Sequence, residues 1–254
     1  MTDASQFTED AFLGGRLRLR QPKSGHRAGH DALLLAAATP ARPGDRVVDL
    51  GAGVGAAGLA LARRVEGLKL VLVEIDSALA DHARGNAAAN AISADVVVLD
   101  VTSDAAAFAA AGLAPDSFDV VLMNPPFNDS LRHRASPDQA RVSAHVATAA
   151  TLESWVHASR RILKSGGALS LIWRADGLAD VLAALDKDFG AIAVLPVHPK
   201  PGAAAIRVLV RATKGNRSPL ALLPGFLLAD ADGKPTAAAE AVLRAAEALS
   251  LTGN

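Results

Sequence analysis

Four consecutive residues, Asn124-Pro125-Pro126-Phe127, concentrate the chemistry of this chain. They follow the apolar run Val120-Val121-Leu122-Met123, which reads as a buried strand. Prolines cannot donate ladder hydrogen bonds, so the strand must stop there in a stiff turn. An amide and an aromatic ring are thereby held at the carboxyl end of a central strand, where open α/β sheets bind their ligands. The Asn124 side-chain oxygen and the Pro125 carbonyl can each accept one N–H from an amine whose lone pair is conjugated with a ring. Drawn toward tetrahedral geometry in this way, the nitrogen becomes a better nucleophile. Phe127 offers a face on which a flat target can stack once it is turned out of a nucleic acid. The bland alternative is a strand end closed by a hydrophobic plug.

A second cluster lies upstream. Arg46-Val47-Val48-Asp49-Leu50 reads as a strand, followed by Gly51-Ala52-Gly53-Val54-Gly55 and a helix over 56–65. Such a tight turn brings backbone against a cofactor. The pattern is ambiguous, because Gly53, Gly55 and Gly58 also satisfy the dinucleotide fingerprint, with Glu74 about 20 residues on as ribose ligand. Charge favours one side: Asp49 opposes a pyrophosphate and suits the ammonium and sulfonium of S-adenosylmethionine. Glu74 serves ribose hydroxyls either way. Asp100, closing a third strand, is placed to accept from an adenine amino group or to support its loop.

The elements that must hold these groups alternate along the chain. Strands are expected at 70–75, 95–99 and into Asn124, then at 168–173, 192–197 and 206–210. Helices fall between them, including a long one over 138–163 that Lys164-Ser165-Gly166-Gly167 should stop. This spacing predicts an α/β chain with a doubly wound, mostly parallel sheet of seven strands. The last strand follows a loop too short for a crossover and should be antiparallel. Residues 1–11 read as a frayed terminus, and Phe12 to Arg20 as a strand turned at Gly14-Gly15 with Arg16, Arg18 and Arg20 on its polar face. A final helix is expected over 236–249, with Thr236 as its cap. The divisions are a single domain over 1–254, with an N-terminal extension (12–30), a core (31–212) and a C-terminal extension (213–254).

With 254 residues one full core can be buried, and the formal net charge of 0 advertises no nucleic acid globally. Local stretches differ: 12–30 and 189–229 contain no acidic residue, and the second carries Lys200, Arg207, Arg211, Lys214 and Arg217. A solvated surface is the competing explanation for both. The absence of cysteine excludes disulfides, thiolate zinc sites and cysteine nucleophiles. The seven histidines show no metal-binding spacing, so no metal is expected. The start has no signal-peptide pattern and no apolar run approaches about 18 residues, so a cytoplasmic location without a membrane span is expected. Trp155 and Trp173 fall in core-like patterns.

Asp49 to Gly55 followed by Asn124 to Phe127 resembles the class I S-adenosylmethionine-dependent methyltransferases that modify exocyclic or amide nitrogens. More closely, the chain resembles the bacterial family that methylates adenine N6 beside the anticodon of a valine tRNA. That likeness runs from Phe12 to about Arg244 and rests on Leu13-Gly14-Gly15-Arg16, the block from Gln21 to Asp31, the glycine loop, Asn124 to Phe127, Lys164 to Gly167, and Lys214 through Pro224. It implies a Rossmann-like fold, S-adenosylmethionine bound by Asp49, Gly51 and Glu74, and adenine received by Asn124, Pro125, Pro126 and Phe127. It further implies a tRNA partner, with Arg16, Lys23, Arg27 and the loop around His133 near the pocket. The family more often has an aromatic residue where Pro235 stands. Release-factor glutamine methyltransferases and ribosomal-RNA guanine-N2 enzymes share the Asn-Pro-Pro-Phe motif and are the alternatives; a methyltransferase-like RNA-binding protein without turnover fits the intact Asp49, Glu74 and Asn124 least well.

Overall fold

A computed structural model describes residues 7–23, 27–126 and 137–251, the side chains of 137–148 excepted. The elements in chain order are β1 (Phe7–Phe12), β2 (Leu17–Pro22), α1 (His30–Ala38), β3 (Arg46–Leu50), α2 (Ala56–Arg64), β4 (Lys69–Glu74), α3 (Ser77–Ala89) and β5 (Ala94–Val98). There follow α4 (Ala105–Ala110), β6 (Phe118–Met123), α5 (Pro137–Ile162), β7 (Leu163–Arg174), α6 (Leu178–Leu185), β8 (Phe189–His198) and β9 (Arg207–Lys214), then the short β10 (Ala221–Leu222) and β11 (Phe226–Leu227), and α7 (Ala237–Ala245).

The expected seven strands form one sheet in the order β8-β9-β7-β6-β3-β4-β5, to which β10 and β11 add parallel to β8. All neighbours in the seven are parallel except β9, which runs antiparallel to both β7 and β8. Alternation along β3 explains the two layers. Val47 belongs to the apolar cluster of α1, α2 and α3, while Val48 and Leu50 belong to that of α4, α5 and α6. Each fully buried Val or Leu contributes about 1.5–3 kcal/mol relative to exposure, so strands buried on both faces are the most strongly fixed elements. This is the class I, Rossmann-like methyltransferase arrangement. It sets the carboxyl ends of β3, β4 and β6 side by side.

Three expectations need correction. Residues 7–12 are a strand rather than part of a frayed terminus, because Thr8, Glu9 and Asp10 face Gln21, Arg20 and Leu19 across an antiparallel hairpin. The turn itself is as expected: Gly14 has φ +64, and a Cβ there would lie 3.0 Å from the Arg244 carbonyl. The segment Lys164 to Gly167 does not cap α5 as a separate turn. Leu163 already pairs with Phe118, and a bulge before Ala168 pairs with Val120 absorbs the extra residues. Lastly, α7 stops at Ala245, four residues early, because the tail turns onto α1, where the Leu249 N–H donates to the Ala37 carbonyl and Leu251 is buried.

Candidate functional site

The site grows from neighbouring strand ends. Met123 pairs with Leu50, so Asn124 and Gly51 leave the sheet next to each other. Gly51 has φ +70, and a Cβ there would sit 2.2 Å from the Trp155 ring, so glycine alone lets the loop pass over α5. The loop is held from both sides. The Ala52 N–H donates to the Val73 carbonyl at 2.8 Å, and the Gly53 N–H donates to Glu74 Oε2 at 2.7 Å. Glu74 Oε1 accepts from the Asp76 N–H, which fixes the carboxylate and leaves it lone pairs for a diol.

Asp49 is buried beneath the first turns of α2, where its Oδ2 accepts from the Gly58 N–H at 2.8 Å. Burial pushes its pKa up to about 7; the Gly58 hydrogen bond opposes this, and the neighbouring Glu74 charge adds to it. A cation placed over the loop would relieve both destabilising effects.

A cavity of about 290 Å³ opens above these ends. Its floor includes Asp49, Gly51, Gly53 and Asn124, and residues 27–32 form its other wall. Asn124 Oδ1 is a buried acceptor with no hydrogen-bond partner among the described residues. Asn124 lines the cavity, and an acceptor left unmet costs about 1–3 kcal/mol, which a small turn of the carboxamide toward a ligand N–H would recover. Pro125 is buried and Pro126 exposed.

The structure brings Asp49, Gly51, Gly53, Asn124 and Arg27 to this cavity, with Gly55 at the start of α2 and Glu74 one hydrogen bond away. Asp100 is exposed at the end of β5, and its Oδ1 accepts from the Thr102 N–H and hydroxyl at 2.8 Å, which supports a loop. Arg16 is not in the lining; its Nη1 donates to the Ala245 carbonyl at the end of α7. Arg27 lines the wall with its guanidinium paired to Asp10 at 2.7 Å, and Lys23 is exposed. Phe127 and His133 lie outside the described residues.

The acid-free stretches are less basic in three dimensions than in sequence. Arg18 pairs with Glu9, and Arg20 lies over the Phe7 ring. In the second stretch Arg207 pairs with Asp31, Lys214 with Asp116, and Arg211 donates to the Leu251 carbonyl. Sequence reasoning missed the wall residues His30 and Asp31. Asp31 gave no signal, because its partner Arg207 lies 176 residues away.

Comparison with known proteins follows the same outline. A family model described as methyltransferase small domain matches residues 27–200. The chain is 32% identical over 198 residues to the tRNA1(Val) (adenine(37)-N6)-methyltransferase of Bacteroides thetaiotaomicron, covering 76% of this chain and 79% of that protein. It is 29% identical to ribosomal RNA small subunit methyltransferase C of Citrobacter koseri, over 62% of this chain and 39% of that one. Among solved structures, a protein from Agrobacterium tumefaciens described as a predicted O-methyltransferase superposes with a TM-score of 0.73 at 32% identity, over 87% of this chain and 98% of that one. The 16S rRNA N2 G1207 methyltransferase of Thermus thermophilus, solved with AdoMet and guanosine, shares the fold at a TM-score of 0.55 and 23% identity, over 82% of this chain and 50% of that one.

Proposed function

The chain belongs to the methyltransferase small domain family and is an S-adenosylmethionine-dependent methyltransferase; within that family we propose that it methylates adenine N6 in tRNA, beside the anticodon of a valine tRNA. The single observation that carries the nitrogen chemistry is Asn124 itself, a cavity-lining residue whose Oδ1 has no hydrogen-bond partner among the described residues. Similarity to the Bacteroides tRNA enzyme over 79% of its length supports the substrate.

On this reading Asp49, Gly51, Gly53, Gly55 and Glu74 hold the cofactor, with Asp100 supporting the loop beside it. The cofactor supplies a methyl group made electrophilic by its sulfonium. Asn124 Oδ1 and the Pro125 carbonyl accept the two N–H bonds of the target amine, which localises the lone pair on nitrogen and aims it at the methyl carbon. With the cofactor bound, the amine held by Asn124 and Pro125 would take the methyl group, and the carbon–sulfur electron pair would remain on sulfur. The methylated nitrogen then loses one proton. Pro126 stiffens the turn, and Phe127 stacks on the base. The family resemblance assigns Lys23, Arg16, Arg27 and His133 to the RNA side of the pocket. Of these Lys23 and Arg16 are exposed and Arg27 is half-buried, and Arg16 and Arg27 also hold protein partners.

A guanine-N2 acceptor in ribosomal RNA is the second reading, favoured by the similarity to the Citrobacter protein. The test is mass spectrometry of digested tRNA from a deletion strain and its complement, with the purified chain assayed on a valine tRNA transcript. Loss of N6-methyladenosine from one isoacceptor, restored by the complement, supports the proposal. An unchanged tRNA profile with lost N2-methylguanosine in ribosomal RNA would replace it. No helix among the described residues is long and apolar enough to cross a membrane.

A further inference from the structure

The outer edge of β2 presents backbone groups that β1 does not pair, and the structure meets them in an unusual way. Asn86 stands in the last turn of α3 and Asn90, four residues on, is its C-cap. The Arg20 N–H donates to Asn86 Oδ1 at 2.8 Å and Asn86 Nδ2 donates to the Arg20 carbonyl at 3.1 Å. Likewise the Arg18 N–H donates to Asn90 Oδ1 at 3.0 Å and Asn90 Nδ2 donates to the Arg18 carbonyl at 2.6 Å. Four helical residues rise about 6 Å and two strand residues about 6.6 Å, so a pair of carboxamides four apart on a helix can imitate a neighbouring strand. Each carboxamide offers one acceptor and two donors, and the second donors differ. Asn90 sends its other N–H back to the Asn86 carbonyl of its own helix. Asn86 sends its other N–H to the Val54 carbonyl at 3.0 Å, inside the glycine loop.

From Arg20 the contacts continue to the cavity wall. Its neighbour Gln21 is buried, accepts from the Ala28 N–H at 2.9 Å, and donates to Asp10 at 2.7 Å. The same Asp10 oxygen receives Arg27. Ala28 and Arg27 line the cavity opposite the glycine loop. A bonded path therefore runs from the loop, through Asn86, along β2, to the far wall of the site.

We propose that Asn86 is a positioning residue that couples occupancy of the glycine loop to the order of the N-terminal hairpin and, through it, of the wall over 27–30. The hairpin then serves as a strut of the active site, and its stability follows cofactor binding. The proposal rests on S-adenosylmethionine occupying the loop and is independent of the acceptor base, so its test uses no RNA.

Hydrogen exchange is measured on β1 and β2, which do not line the cavity, with and without saturating S-adenosylmethionine, together with calorimetric affinity. In the wild type the cofactor should slow exchange across the hairpin. Asn90→Ala should speed hairpin exchange overall yet keep that cofactor-dependent difference, with affinity within about twofold. Asn86→Ala should abolish the difference and weaken cofactor binding about five- to tenfold, the scale of one lost hydrogen bond. A wild-type hairpin indifferent to the cofactor overturns the proposal whether or not either variant folds. So does a difference that survives in Asn86→Ala, or one that disappears equally in Asn90→Ala.

Discussion

Asp49 should make cofactor binding a proton-linked event. Its carboxyl is buried, holds only the Gly58 N–H as a stabilising partner among the described residues, and has its pKa raised from 3.8 to about 7. Between these two values the folded protein keeps a proton that the unfolded chain has released. The associated stability is therefore fully present below about pH 4 and is lost as pH rises toward 7, about 4 kcal/mol in all. A cationic ligand over the loop favours the ionised form, so binding below pH 7 must expel the proton. Affinity should be about tenfold below its plateau at pH 6 and about a hundredfold below it at pH 5. The ligand's own amino group stays charged over this range. Calorimetry in two buffers of different ionisation enthalpy should show close to one proton released per S-adenosylmethionine at pH 6. Asp49→Asn keeps an oxygen for the Gly58 N–H but cannot ionise; it should flatten the pH profile, weaken binding at pH 8 by about tenfold or more, and stabilise the empty protein there. Affinity independent of pH between 5 and 7, with no buffer-dependent heat, would refute the electrostatic account of the loop.

Asn124→Ala should slow single-turnover methylation by about 100-fold, the scale of a deleted transition-state contact, while cofactor affinity stays within a few-fold; near-normal turnover would remove Asn124 from the chemistry. Gly51→Ala should abolish cofactor binding and lower the melting temperature, because the new methyl would sit 2.2 Å from Trp155, whereas Gly53→Ala, with nothing within 4 Å of its Cβ, should be milder despite its positive φ. Calorimetry and thermal unfolding of the two variants compare them directly. The same contact should make Trp155 fluorescence respond to S-adenosylmethionine, and Trp155→Phe should lose that response while Trp173→Phe keeps it. For RNA capture, Lys23→Gln should reduce the slope of log K against log salt by about one unit or less, whereas Arg16→Gln should chiefly loosen α7 and leave the slope little changed.

The order of central elements was legible because strands buried on both faces leave short apolar runs that little else can imitate. Val47, Val48 and Leu50 all disappear into the core, and β3 falls at the expected residues. Edges were harder to read. Residues 7–12 mix Thr8, Glu9 and Asp10 with apolar neighbours, and only pairing with β2 gives them a strand's hydrogen bonds. The two-residue strands β10 and β11 exist because β8 offers an open edge. The end of α7 was misjudged for a related reason. Helical propensity continues through 246–249, but docking of the Leu249 and Leu251 segment on α1 overrides it.

In the site, motif residues were legible in type and position, since Asn124, Asp49 and Gly51 meet at adjoining strand ends as strand order requires. Charge was legible only along the chain. The basic face of 12–30 looked like an RNA grip because its acids, Glu9 and Asp10, lie in the neighbouring strand, where Glu9 meets Arg18 across the hairpin and Asp10 receives Arg27 from beyond the end of β2. The exposed Arg18–Glu9 pair contributes about 1 kcal/mol at most, so a polyanion could exchange for it. The half-buried Asp10 cluster is different. Its carboxyl is held below the usual range, first by the Gln21 hydrogen bond and also by Arg27, and taking Arg27 away to bind phosphate would strand that carboxylate against the wall it supports. Arg27 therefore shapes the cavity more readily than it leaves it, and positive charge for the proposed RNA comes more readily from exposed side chains such as Lys23, one residue beyond the ladder and without an acidic partner among the described residues.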